Sequence, residues 1–442
     1  MKSLLFLLLA LISNITFLSN TSLSQLKWRS LGALPDRARY EDISFINEKT
    51  GWTITSYSMD TVNFCYIFKT TNGGASWNTL RDTLTRFYRC VGFADSLHGW
   101  IGTLGLRDTR IIIRTTNGGT DWMPSLSIPS QDSANVCGIS VLNKDYVFAC
   151  GRFYGPAYFY KTTNGGVNWT VKDMSMYAKG LVDCYFTSPD SGFVVGGVDG
   201  NWPDMKGIVL FTSDGGETWV ERFRTTQRNQ WGWKMSFPSR NVGYVSLEKF
   251  SSPCIFLKTT NGGATWQEKP FLNQLYNEEG IGFINENTGW LGGDNLTYKT
   301  TNGGDNWTVE SGMGRSMNRF RFINDSVAYS AGGRIYKYSR DSTVGIQQIS
   351  TEMPMQFRLR QNYPNPFNPG TKISFEVASP VAEVKLEVYN SLGQLVDVLV
   401  EEILRTGIYE VEFSAAKHPS GVYYYRLITN NYAEIRKMML IK

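Results

Sequence analysis

The sequence of 442 residues carries 44 Lys and Arg against 39 Asp and Glu, a net charge of +5 drawn from only 19% charged residues. Charge this dilute excludes a basic nucleic-acid arm or an acidic tail, so no nucleic-acid partner is expected. Two histidines, His98 and His418, leave no multi-histidine metal site and no Ser-His-Asp triad, so neither a metal nor a cofactor is expected. With 14% aromatic residues, 13 Trp and 43 Gly, the composition favours many short strands joined by tight turns, an all-β class.

The chain opens with Met1-Lys2, then Leu4-Leu5-Phe6-Leu7-Leu8-Leu9-Ala10-Leu11-Ile12, then polar residues ending in Ser22-Leu23-Ser24. A basic start, a short apolar run and small residues flanking Leu23 predict a secretory signal over residues 1–24, cleaved before Gln25. Ser13, Asn14 and Thr16 interrupt the run short of the roughly 20 apolar residues that a span requires, and no later segment is apolar enough. No transmembrane segment is therefore expected after signal removal. Cys65, Cys90, Cys137, Cys150, Cys184 and Cys254 fall in the exported part without any Cys-x-x-Cys spacing. That speaks against metal binding and leaves buried thiols and disulfides both open, with Cys137 and Cys150 suited to facing positions of one hairpin.

One phrase then returns six times, first as Lys69-Thr70-Thr71-Asn72-Gly73-Gly74-Ala75-Ser76-Trp77. Its turn residues Asn72, Asn117, Asn164, Asp214, Asn261 and Asn302 are spaced by 45, 47, 50, 47 and 41 residues, the period of a four-stranded propeller blade. A second phrase precedes each copy, as in Phe45-Ile46-Asn47-Glu48-Lys49-Thr50-Gly51-Trp52, and occurs seven times counting its degenerate forms at Val141–Phe148 and Phe322–Tyr329. Both read as hairpins: Asn, Asp and Gly take the turn, and the aromatic residues enter the core between sheets. The last unit, ending at Ile335-Tyr336-Lys337-Tyr338, lacks its Gly-Gly-Trp turn, while Trp28-Arg29-Ser30-Leu31 resembles the strand that follows each turn. The N-terminal strand is thus expected to complete a seventh blade, closing a ring over residues 25–342 and covering its open edge.

The phrase Thr-Thr-Asn-Gly-Gly-x-x-Trp resembles the Asp-box, or BNR, repeat of sialidases, sortilin-type receptors and some glucanases. Paired with Phe-x-Asn-x-x-x-Gly-Trp, it is most similar to seven-bladed propellers related to the photosystem II stability and assembly factor. The resemblance implies the fold; the families that share this turn do unrelated things. Asn in five of the six boxes suits a hydrogen-bonding turn and not acid or metal chemistry.

After Ser342 a polar stretch, residues 343–356, reads as a linker, and a module over 357–442 follows. Gln361-Asn362-Tyr363-Pro364-Asn365-Pro366-Phe367-Asn368-Pro369 is too rich in proline for a central strand. Alternating strands then run at 371–377, 384–389, 408–413, 422–428 and 433–441, with a turn at Asn390-Ser391-Leu392-Gly393-Gln394, a pattern that predicts a small immunoglobulin-like antiparallel sandwich. The proline segment, the Val-Tyr-Asn-x-Leu-Gly-Gln turn, Ser420-Gly421-Val422-Tyr423-Tyr424 and the closing Lys437-Met438-Met439-Leu440-Ile441-Lys442 resemble the type A C-terminal sorting domain of the type IX secretion system. Pro364, Asn365, Pro366, Gly393, Gly421 and Lys437 are the matching signal residues. The resemblance implies the type IX machinery as a partner and passage through the periplasm to the outer surface or the medium.

If four strands run outward in each blade, both kinds of turn share one face, and the more variable loops, including 56–63 and 199–207, share the other. Polar and aromatic residues just before each inner strand are then expected to ring the channel mouth: Glu41, Arg89, Lys179, Trp231, Trp233, Lys234, Glu278, Arg319 and Arg321. Mixed charge with aromatics suits a protein or glycan ligand held by a monomer, without catalysis. An extracellular glycoside hydrolase is the alternative, with Asp183 and Glu278 or Glu279 as its carboxylate pair. Asp199-Gly200-Asn201-Trp202-Pro203-Asp204 is oxygen-rich but lacks the spacing of a calcium loop.

Overall fold

The computed structural model describes residues 26–442 apart from 32–33, 35–38, 60–61, 83–86, 105–110, 126–134, 250–251, 341–346, 351, 353 and 416–417. The expected secretion signal and its cleavage point lie outside the described residues. Strands alone form regular structure, and among the described residues no helix is long and apolar enough to cross a membrane.

Seven four-stranded antiparallel sheets are the blades of a propeller. Their inner strands are Tyr40–Phe45, Tyr88–Phe93, Gly138–Val141, Gly180–Phe186, Gln230–Ser236, Glu278–Phe283 and Arg319–Phe322, in blades one to seven. Six blades run in chain order from inside to outside; the seventh takes its outer strand from Lys27–Ser30, with Trp28 opposite Tyr338 and Arg29 opposite Lys337. Trp28 is buried against Trp290, Phe320 and Tyr338, so the ring closes by packing as well as by strand pairing.

Each box is the same small machine. Thr70 Oγ1 donates to Asn72 Oδ1 at 2.9 Å and accepts from Gly74 N, while Asn72 Oδ1 also accepts from Ser76 N. Gly73 and Gly74 hold φ of 71° and 89°, the left-handed region that glycine occupies without strain. The second phrase builds the seams. Its closing aromatic stacks on the first aromatic of the next blade: Trp52 on Phe93 at 3.6 Å, Phe148 on Phe186 at 3.7 Å, Tyr244 on Phe283 at 3.5 Å and, across the closure, Tyr329 on Phe45 at 3.5 Å. The phrase needs its glycine because a Cβ on Gly51 would meet the Phe45 ring at 2.5 Å.

In three blades the basic residue that opens a box reaches forward into the following one. Lys69 Nζ donates to Gly118 O at 2.9 Å, Arg114 to Gly165 O at 3.1 Å and Lys258 to Gly303 O at 2.8 Å. The two turns of a blade share a face, as Gly73 N to Lys49 O and Gly118 N to Leu97 O show, both at 2.8 Å. Residues 56–59 and 62–63 belong to paired strands and not to an irregular loop: Gly51–Met59 and Val62–Thr70 stay paired out to Met59 opposite Val62. All six cysteines are buried and unbridged, with Cys137 N bonded to Cys150 O at 2.8 Å.

The C-terminal module is a sandwich of two four-stranded sheets around Leu359, Phe367, Phe375, Leu386, Phe413, Tyr425 and Met438. Its first strand, Gln347–Ser350, lies within the stretch expected to be linker and pairs with Gly407–Ser414, so the module starts earlier than residue 357.

Candidate functional site

The inner strands begin at the end of the channel away from the boxes, and five of them begin irregularly. Register shifts lie between Tyr40 and Asp42, Tyr88 and Cys90, Leu181 and Asp183, Gly232 and Met235, and Glu278 and Ile281. An extra residue in a strand re-aims side chains. Those within the shifts include Glu41, Arg89, Trp233, Lys234 and Glu279, and they meet across the channel instead of ringing it.

Arg319 of blade seven forms a bidentate pair with Asp183 of blade four, 2.9 Å for each bond, and reaches Asp42 of blade one at 3.1 Å. Arg321 adds a pair to Asp42 at 3.5 Å. The Trp233 indole donates to Asn318 Oδ1 at 2.9 Å, joining blades five and seven, and Asn318 in turn donates to the Glu41 carbonyl. Arg89 of blade two lies under the Trp233 ring, 5.1 Å from its centroid, and pairs with Glu41. Arg39 bridges Glu41 and Glu279. The channel is filled at this level by a cross-linked polar plug.

Burial and pairing set the charges within it. Burial opposes the ionisation of both Asp183 and Arg319, yet each holds the other charged: the carboxyl stays below its usual range and the guanidinium above. Burial, helped by Arg319, brings Lys234 down to about 8, and it pushes Glu278 well above the carboxylate range. One Glu278 oxygen accepts from Leu247 N at 3.3 Å and the other has no hydrogen-bond partner among the described residues, which suits a neutral carboxyl. Glu248 rises to about 7 through burial and the nearby Glu279.

The nine expected mouth residues therefore divide. Glu41, Arg89, Trp231, Trp233, Lys234, Glu278 and Arg319 are buried, Arg321 is half-buried and Lys179 is exposed. The expected carboxylate pair is not brought to the surface: Asp183 is bound by Arg319, and Asp183, Glu278 and Glu279 are all buried. Arg39, Asp42, Glu248 and Asn318 were not singled out from the sequence. Charged residues inside an otherwise apolar inner strand, as in Glu41-Asp42-Ile43 or Val182-Asp183-Cys184, are the signal that points to such a plug.

Among the described residues, blades three and four present aromatic side chains above the plug. Phe153 and Tyr154, on the loop after the second strand of blade three, meet Trp202, on the equivalent loop of blade four, with Phe153 and Trp202 centroids 6.0 Å apart. The loop of Trp202 is tied down on both sides, Asp199 to Arg224 at 2.6 Å and Asp204 to Arg228 at 3.2 Å, so the carboxylates of the oxygen-rich stretch are engaged by arginines.

In the sandwich, Pro364, Asn365, Pro366, Gly393, Gly421 and Lys437 are all exposed. Buried Asn362 donates to Thr371 Oγ1 at 2.9 Å and to the Pro364 carbonyl at 3.0 Å; Asn365 Oδ1 accepts from Met439 N at 2.9 Å. The proline segment thus clamps the final strand, Tyr432–Leu440, whose outer face exposes Ile435 and Met439.

Fold and site together define a repeat-built propeller followed by a targeting module. Residues 168–321 match the family of photosynthesis system II assembly factor YCF48, and residues 361–442 match the secretion system C-terminal sorting domain. The chain thus joins a propeller similar to YCF48 to a type IX sorting domain, which implies secretion or the outer cell surface. No curated protein matches the sequence significantly. Among solved structures, YCF48 bound to D1 peptide is 17% identical, with 71% of this chain and 97% of the other covered at a TM-score of 0.54. The extracellular domain of a hybrid two component system from B. thetaiotaomicron is 8% identical over 94% of this chain and 57% of its own, TM-score 0.48. A PL25 ulvan lyase is 10% identical over 70% of this chain and 96% of its own, TM-score 0.44. At such identities the likeness concerns the fold.

Proposed function

We propose that the protein is a binding propeller, delivered by its sorting domain, that holds a protein or glycan on the face opposite the boxes. The observation that carries this reading is the plug. With the channel filled, a ligand meets a closed floor, and the groups presented there include, among the described residues, Arg39, Lys179, Tyr154 and Trp202 of non-repeating loops. The YCF48 structure, solved with a D1 peptide, is a propeller of this fold holding a ligand, which supports binding over chemistry. Probing a glycan and peptide array with the purified protein tests it: ligands lost on substitution of Lys179 or Trp202 support the reading, and an array with no binder sinks it.

One observation favours hydrolysis as a second reading. Glu248, near neutral in pKa and incompletely buried, sits beside Glu279 below the aromatic loops. Release of reducing sugar that disappears in Glu248→Gln is its test.

A further inference from the structure

The aromatic shelf on blades three and four gives the proposed binding face a chemistry. Tyr154 is 38% and Trp202 43% exposed, on loops held in place by Arg152 and by the pairs of Asp199 and Asp204 with arginines. Phe153 and Trp202 meet edge to face at 76°, making two walls of a corner, and Trp202 rests in turn on buried Trp231 at 6.1 Å. Arg152 lies 4.1 Å over the Tyr154 ring and donates to its hydroxyl at 3.3 Å. Lys179 is exposed beside the same corner: a Cβ on Gly155 would meet its carbonyl oxygen at 2.4 Å, and Leu181 N bonds to Arg152 O at 3.1 Å.

Charge decides what such a shelf holds. Asp199 and Asp204 are paired with Arg224 and Arg228, whereas Arg152 and Lys179 have no carboxylate partner among the described residues. An aromatic corner flanked by two uncompensated cations fits a ring with an apolar C–H face and an attached carboxylate. A peptide strand fits less well, because strand addition needs a free sheet edge and the shelf is built from loops.

Resting on the binding reading above, we infer that this corner is a subsite for a uronic-acid residue of an acidic polysaccharide. The sugar ring packs on Trp202 and Phe153, and its carboxylate is received by Lys179 and Arg152.

Affinity electrophoresis of the purified exported protein through gels containing polygalacturonate, alginate, neutral dextran or poly-glutamate tests the assignment. Retardation by the uronate polymers and not by dextran is expected, weakening with salt as exposed charge pairs do. Trp202→Ala should weaken it at least tenfold, and Lys179→Gln several-fold with loss of much of the salt dependence. Both side chains are on the surface, and an unchanged thermal transition confirms that each variant is folded. Absence of uronate retardation, or retardation unaltered in folded Trp202→Ala, overturns the subsite. Poly-glutamate binding that depends on Lys179, without uronate binding, overturns the sugar assignment and leaves the binding face standing; no binding to these polymers or to the glycan and peptide array overturns both.

Discussion

At one end of the propeller the turns of successive blades are near copies, and at the other the side chains that open the inner strands differ from blade to blade. Asn72, Asn117, Asn164, Asp214, Asn261 and Asn302 each accept the bond from the residue four positions on, at 2.9 to 3.0 Å. The opposite end holds one Arg–Asp bidentate pair, one indole-to-amide bond and one arginine under a tryptophan, each made once. Repetition in this molecule marks the parts that solve a folding problem common to all blades. Departure from repetition marks parts whose demands differ from blade to blade, where ligand recognition has room to arise.

That contrast can be broken most violently at the closure, which belongs to neither end. Removing residues 25–33 exposes the edge of Ile335–Ser339 and the faces of Trp290 and Phe320, and should abolish the cooperative unfolding transition of the propeller. Trp28→Ala alone should cost about 3–5 kcal/mol by denaturant titration. Unchanged cooperativity in the truncated chain would sink the closure.

Within the plug, Asp183→Asn leaves the buried Arg319 charge half-compensated and should cost about 3–5 kcal/mol. Because the folded pKa of Asp183 is depressed, its contribution is present above the ordinary aspartate range and is lost as pH falls through the folded value. The substitution should therefore flatten the acid limb of a stability-against-pH curve. An unaltered acid limb would show that the pair contributes nothing net.

Glu248 behaves oppositely. Its pKa rises from 4.5 to about 7, so the folded protein binds the extra proton and is favoured at lower pH, with that advantage lost as pH climbs through about 7. Glu248→Gln should reduce the decline in thermal midpoint between pH 4.5 and 7, leaving the part due to Glu278; an unreduced decline shows that Glu248 contributes nothing.

The box end should show the smallest effects. Asn72→Ala removes acceptors for Ser76 N and Thr70 Oγ1 and should cost about 1 kcal/mol. Asn72→Asp keeps the same oxygen geometry, as Asp214 does in blade four, and should stay within about 0.5 kcal/mol. A larger loss in the aspartate variant would give the boxes a role beyond the turn.

How legible each part was from sequence follows the same division. The blade count, closing strand and shared turn face were readable because local phrases recur with the spacing of a sheet. In the sandwich, the turn at Asn390 to Gln394 was readable from its Asn and Gly, while strand Leu395–Leu404 was not predicted. Its partner slips register at Leu386/Glu387 and Val388/Tyr389, so simple alternation fails there. The plug was only half readable. Position along the chain indicated which side chains approach the channel, but the register shifts that turn Arg89 and Trp233 toward partners far away in sequence are set by tertiary packing.

The outer strand of blade seven also sets an order of events. Arg29 bonds to the Ser339 carbonyl across 310 residues, so a strand made early in synthesis finds its partner only when nearly the whole propeller has followed. Until then Lys27–Ser30 has no neighbour to pair with, and contacts of such long sequence separation form slowly. The sandwich, whose own contacts lie within residues 347–441, has no such wait. During export the address can be folded and readable while the cargo in front of it is still an open ring.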